Sequence, residues 1–347
     1  MTFSSLSPGW RRLSGVLAGL LAGLLAARVL AADCAWTFVH SGRPSAFSQF
    51  QFIDAQAGFA HDTECLWQTG SAGRQWARLW CSDPQAPGWR ERGAIDRFEF
   101  TGAGTGWLLT RGGALQRTRD GGRTWAEQTF PGYLVRAVRF ADPLHGWWVG
   151  EQPLDGIPDA RGVAFVTSDG GEHWQEQALG VAAAARWRLV DVWPQSAQEA
   201  WAVGSDLLLH TTDAGASWQD RSFAELGHWR NDSIRFNRGG IGVIVRSPAQ
   251  GFLLSLDAGR HWQARRTPVN APRLDGLAFI DARQAWASIA GQIHRSLDGG
   301  RSWRPVVPGP APQRDEPARY HGLQYIETGR LLVVAEGADA FGFCALR

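Results

Sequence analysis

Catalysis in this chain would have to run through a short roster of side chains. Tyr133, Tyr320 and Tyr325 are its only phenols. A glycosidase with a tyrosine nucleophile also needs a glutamate to assist it, an aspartate as acid/base, and an arginine cluster for a substrate carboxylate. Tyr325 takes the strand position that Phe140, Phe236 and Phe279 take elsewhere and reads as core. That leaves Tyr320, beside a strand entrance, as the one candidate nucleophile. A two-carboxylate glycosidase needs acids facing each other across a cleft. Asp54, Asp142 and Asp281 instead recur at one place just after a strand, as turn residues do. No nucleophile elbow, zinc helix motif or phosphate loop occurs, and no cysteine has metal-ligand spacing. His173 and His261 fall inside turns. The expectation is a chain without catalytic chemistry, cofactor or metal.

The elements that must position these groups are repeated units. Thr118-Arg119-Asp120-Gly121-Gly122-Arg123-Thr124-Trp125 recurs around Asp169, Asp213, Asp257 and Asp298, at steps of 49, 44, 44 and 41 residues. A worn copy with Ser71 in the aspartate place lies 49 residues upstream of the first. Each aspartate can accept hydrogen bonds from its own turn, the glycine two places on supplies a positive φ, and the tryptophan returns to pack on a sheet. Ahead of each box a small residue leads an aromatic or aliphatic strand, as in Gly58-Phe59, Gly106-Trp107, Gly146-Trp147, Ala200-Trp201, Gly242-Val243 and Ala285-Trp286. A seventh unit without a box follows, and Ala35-Trp36-Thr37-Phe38-Val39 is a spare strand able to complete it. The pattern predicts an all-β fold: a seven-bladed β-propeller whose last blade is closed by the N-terminal strand.

Composition and compartment agree with that architecture. The 42 glycines and 19 tryptophans suit short strands joined by tight turns, and 44% hydrophobic residues exclude a disordered chain. Arg11 and Arg12 precede an apolar run from Leu13 to Ala27, so residues 1–32 read as a signal peptide and 33–347 as the propeller. Asp33 stands where a lipobox would place a small residue. Removing Arg11, Arg12 and Arg28 from the 35 basic residues leaves 32 against 33 acids, a formal charge of −1. All the basic residues are arginine, and a near-neutral mature chain is no nucleic-acid binder. Cys34, Cys65, Cys81 and Cys344 admit three pairings, and an exported chain is expected to oxidise them. A Cys34–Cys344 bond would tie the termini together and leave Cys65–Cys81 as the local pair.

The Ser/Thr-x-Asp-x-Gly-x-x-Trp unit resembles the Asp-box, or bacterial neuraminidase repeat. Its pairing with a preceding strand, as in Gly146-Trp147 before Asp169 and Ala200-Trp201 before Asp213, is similar to the photosystem II stability/assembly factor family of exported seven-bladed propellers. The resemblance covers nearly all of the mature chain. It implies a non-enzymatic helper that stabilises or assembles a membrane complex, periplasmic or, in a photosynthetic cell, lumenal, and that uses an arginine patch. Asp-boxes also decorate sialidases, xyloglucanases and sorting receptors, so a glycan-binding or sialidase-like glycoside hydrolase propeller is the alternative. Arg43-Pro44 imitates the sialidase N-terminal signature poorly.

Aligning the repeats on the innermost strand places Ser48, Asp96, Arg136, Arg188, Asp232, Asp275 and His321 four residues before its anchor, at one mouth of the channel. Arg136 and Arg188, with Arg139, Arg186, Arg230 and Arg235, form an arginine-rich sector opposite an acidic one. A guanidinium grips carboxylates bidentately and stacks on tryptophan, which suits protein recognition. The expected partner-binding set is therefore Arg136, Arg139, Arg188, Arg235, Asp232, Asp275 and His321, on a monomer that meets an exported loop of a membrane protein. Glycan binding would instead use off-grid tryptophans such as Trp67, Trp80, Trp89, Trp148, Trp187, Trp193 and Trp229.

Overall fold

The computed structural model describes residues 36–40, 47–83, 85, 93–154, 160–181, 187–223, 230–247, 249–271, 274–306, 320–327, 331–336 and 340–346. The expected signal peptide and Cys34 lie outside them. The described residues form seven four-stranded antiparallel sheets, the blades of a propeller. Their innermost strands are Gln49–Phe52, Ile95–Phe100, Leu134–Phe140, Leu189–Pro194, Arg230–Phe236, Leu274–Phe279 and Tyr320–Ile326, for blades 1 to 7. Blade 7 takes its outermost strand, Trp36–His40, from the other end of the chain. Trp36 there faces Cys344, and His40 faces Ala340. Cys344 is disulfide-bonded.

Blades meet through apolar clusters, each drawn from two neighbours. One joins Trp147 and Val149 of blade 3 to Leu189, Val192 and Leu209 of blade 4. Another joins Phe52 of blade 1 to Leu331, Val333 and Phe341 of blade 7, across the closure. The small-residue-plus-aromatic pattern acquires a physical reason here. Phe59 of blade 1 stacks on Phe100 of blade 2 at 3.6 Å, and Trp107 of blade 2 stacks on Phe140 of blade 3 at 3.5 Å. The anchor phenylalanine in turn lies over the small residue opposite it. A Cβ added at Gly106 would stand 2.5 Å from the Phe100 ring. Each buried aromatic of this kind contributes about 1.5–3 kcal/mol of burial free energy.

Trp148, off the repeat grid in sequence, is fully buried and stacks on Phe165 at 4.0 Å. Trp187 is exposed.

The boxes fold as their residues require. In the first full copy the backbone N–H groups of Arg123 and Thr124 donate to Asp120 Oδ1 at 3.0 and 2.9 Å, and the Thr124 hydroxyl donates to Oδ2 at 2.7 Å. Gly122 has φ +89°, and its carbonyl accepts from Trp125 Nε1 at 3.0 Å. Thr124, Ser217 and Ser302 donate from one position, and His173 and His261 occupy it in the other two boxes, each with Nδ1 beside its aspartate. Those histidines are thus part of the turn. In the worn copy Ser71 Oγ accepts from Gln75 N at 2.9 Å. The blade carrying it is the one braced by the Cys65–Cys81 disulfide between neighbouring strands.

These hydrogen bonds, Ser302 hydroxyl first and Ser302 N–H next, hold Asp298 at about 2 against its ordinary 3.8. A depressed carboxyl stabilises the fold above the unfolded value and loses that contribution as pH falls through the folded one. Asp298→Asn should therefore lower stability at neutral pH, and its deficit against wild type should shrink as pH falls from about 4 to about 2, followed by urea unfolding across that range. Replacing Cys65 and Cys81 together by serine, which opens a 16-residue separation, should cost about 3 kcal/mol in chemical denaturation.

Candidate functional site

The innermost strand of each blade is a sheet edge, and its free N–H and C=O groups must find partners or water. In one sector side-chain amides supply both partners. Gln324 of blade 7 accepts from Phe52 N at 2.7 Å and donates to Phe52 O at 2.8 Å. Gln51 of blade 1 does the same to Phe100, at 2.9 and 2.8 Å, and Gln49 repeats it on Phe98.

The facing sector is built from charges. Arg139 Nη1 lies 2.7 Å from Glu99, and Arg139 Nε lies 3.7 Å from Asp191 Oδ1. Arg97 reaches Asp96 at 3.3 Å and Asp191 at 4.0 Å. Asp191 is fully buried, and its Oδ2 accepts from Ile234 N at 3.1 Å. Trp193 sits between Arg139 and Arg235, whose guanidinium carbons stand 5.8 and 5.9 Å from its ring. Ser48, Gln49, Asp96, Glu99, Arg139 and Arg235 are among the walls of a cavity of about 360 Å³ at this point of the channel.

Burial pushes the Glu99 carboxyl up, with Arg139 pulling it back. Burial also opposes charge on Arg139, but Glu99 and Asp191 outweigh it and raise the guanidinium above its ordinary range. For Arg235 the balance goes the other way: burial, then Arg139, lower it to about 10, with Asp191 and Glu99 offsetting them only in part. Its side chain opens on the channel, and it stays charged at neutral pH.

The sequence-expected ring is corrected in two places. Ladder registers show that a bulged residue interrupts the innermost strand of blades 2 to 7, at Asp96, Arg136, Val190, Asp232, Asp275 and Gly322. Ser48 takes the corresponding place in blade 1, donating its N–H to His61 O. Arg188 and His321 are thus not ring members; Val190 and Gly322 hold those positions. For Asp232 and His321, and for Arg230, only the backbone is described, and Arg186 lies outside the described residues.

Arg136 and Arg188 are nevertheless brought together. Both meet the buried Glu151 of blade 3, Arg136 through Nε at 3.1 Å and through Nη2, and Arg188 at 3.9 Å. Arg139 and Arg235 stand apart from them on the channel wall. Tyr320 and Tyr325 both pack at the core between blades 6 and 7. Tyr320 is 4% exposed and belongs to the core between blades 6 and 7, so it is no accessible nucleophile. Tyr325 is half-buried at the register position of Arg139 and Arg235, while Ile326 is the anchor. Among the described residues no group of three His, Cys, Asp or Glu side chains could hold a metal.

Sequence reasoning missed Glu99, Glu151, Asp191 and the glutamine clamps. One signal was available: the residue before each anchor reads Gln51, Glu99, Arg139, Trp193, Arg235, Ala278 and Tyr325.

Fold and site together define a seven-bladed Asp-box propeller with a polar, charge-paired channel. A family model described as photosynthesis system II assembly factor YCF48 matches residues 132–226. The photosystem II assembly lipoprotein Ycf48 of Synechococcus sp. (strain CC9902) is 25% identical over 204 residues, 58% of this chain and 56% of that protein. The alignment thus spans little more than half of that relative. Residues 132–226 are thus similar in sequence to photosystem II assembly factors. Among solved structures, Ycf48 bound to a D1 peptide has a TM-score of 0.60 at 16% identity, covering 90% of this chain and 97% of its own. Virginiamycin B lyase from Staphylococcus aureus has a TM-score of 0.62 at 12% identity, covering 90% and 100%. At such identities the likeness is one of fold.

Arg139→Leu leaves Glu99 and the buried Asp191 without their main cation. It should lower unfolding free energy by about 3–5 kcal/mol. Arg188→Leu, whose partner Glu151 keeps Arg136, should cost less than about 1 kcal/mol in the same denaturation assay.

Proposed function

We propose that this protein is a non-enzymatic, exported assembly or stability factor for a membrane protein complex. It holds a protein partner on the face where the innermost strands begin. The observation that carries this reading is the assembly-factor match over residues 132–226, which falls on blades 3 and 4 and takes in Arg136, Arg139, Glu151 and Arg188. The relative solved with a D1 peptide supports a peptide as the bound species. Burial of Tyr320 removes the one candidate nucleophile and supports a role without catalysis.

Arg136 and Arg188 supply the cationic part of the face, Arg139 and Arg235 stand behind it on the channel wall, and Asp232, Asp275 and His321 belong to blades 5 to 7. Trp187, 42% exposed beside Arg188, is the aromatic most able to anchor a partner there. Export to the periplasm, or to the lumen of a photosynthetic cell, is supported by the leader-like residues 1–32 and by the Cys65–Cys81 disulfide.

Capture of the tagged protein from mildly solubilised membranes after in-cell crosslinking tests the reading. The subunits of one membrane complex should be recovered reproducibly. Trp187→Ala combined with Arg188→Gln should reduce that recovery at least about tenfold while the melting temperature holds, because neither side chain supports the core. Recovery of no membrane complex, or undiminished recovery by the double variant, would overturn it.

A further inference from the structure

Several buried polar atoms on the channel cavity are left unpaired by the protein. His61 is 2% exposed, and its Nδ1 stands 2.6 Å from the carbonyl oxygen of Asp62. A carbonyl only accepts, so Nδ1 carries the proton and Nε2 presents a lone pair. Among the described residues Nε2 has no hydrogen-bond partner. Burial lowers the imidazole pKa, in keeping with a neutral ring.

Asp191 approaches the same cavity from blade 4, roughly opposite blade 1. Its Oδ1 has no hydrogen-bond partner among the described residues, since Arg139 Nε at 3.7 Å and Arg97 Nη1 at 4.0 Å lie beyond hydrogen-bond reach. Arg139 Nε is unpaired too. Arg235 makes no ion pair among the described residues; its guanidinium rests on Trp193.

The cavity thus offers two buried acceptors that want a donor, one buried donor, and one cation outside any ion pair among the described residues. We propose that the channel binds a small carboxylic acid that also carries an ammonium or hydroxyl group, the chemistry of 2-amino and 2-hydroxy acids. Its carboxylate lies against Arg235 and Arg139 Nε, where guanidinium donors grip paired oxygens. An ammonium, with three N–H donors, answers both Asp191 Oδ1 and His61 Nε2, and a hydroxyl, with one, answers one of them. A volume of about 360 Å³ suits a ligand of that size. The assignment uses the channel interior, and it stands whether or not the outer face docks a membrane complex.

Calorimetric titration of the purified protein with L-alanine, L-lactate and acetate tests it. At least one of the first two should bind at least about tenfold more tightly than acetate, which has the carboxylate but leaves both acceptors unmet. Arg235→Gln, at an exposed side chain without an ion pair, should fold normally and weaken that binding at least about tenfold. The bound acid should also shift the His61 Nε2 resonance in a nitrogen-detected spectrum. Failure of both acids to bind, equal binding of acetate, undiminished binding by Arg235→Gln, or an unmoved His61 resonance would each overturn the proposal.

Discussion

Closure of the ring depends on five residues from the wrong end of the chain. Trp36–His40 pairs along the whole outer edge of blade 7, with Phe38 lying over Gly342, where a Cβ would stand 2.6 Å from its ring. Trp36 also meets Trp286 of blade 6 edge-on at 6.2 Å, so the same strand that finishes one blade packs on the next. Without it blade 7 would present a three-stranded sheet with an open edge, and its core toward blade 6 would lose Trp36 and Phe38. Cys344, directly opposite Trp36, is disulfide-bonded.

A closed ring has a second consequence, at its centre. Seven sheet edges converge on one channel, and the chain satisfies them in two chemically different ways. Where Gln324, Gln49 and Gln51 stand, a side-chain amide copies the donor and acceptor of a missing strand, and the blades are stitched backbone to side chain. Where Glu99, Arg139, Asp191 and Arg235 stand, charges take over, and their longer reach leaves a cavity. A nearly symmetric fold thus acquires one polar sector unlike the rest.

Which parts of this were legible in the sequence follows from the same division. The boxes were, because Asp120 and its equivalents make local hydrogen bonds that need the same residues at each copy. Blade closure was, because a seventh unit lacked a strand and Trp36–His40 was left over. The channel was read only in part. One bulged residue in an innermost strand shifts everything before it by one position, and blade 4 anchors on Pro194 rather than an aromatic, so Val192 passed for the anchor and Arg188 was drawn into the ring. Tyr325 misled in the same way, standing one residue ahead of the true anchor Ile326. Glu99, Glu151 and Asp191 were invisible for a different reason. A single acid within a strand gives no sign of which blade's arginine it will meet.

The pairing of arginines with acids bears on how a partner would be held. Arg136 and Arg188 are not bare cations; Glu151, buried between them, already takes up much of their charge. A partner carboxylate arriving there must share them with Glu151, so it gains only the difference between two ion pairs, after desolvation. On the proposed reading, such a face contributes orientation and selectivity more than raw affinity, and the apolar contact of Trp187 must supply much of the hold. That balance suits a factor that has to release what it assembles. A face of unpaired arginines would bind an acidic segment more tightly, and would also bind many wrong ones.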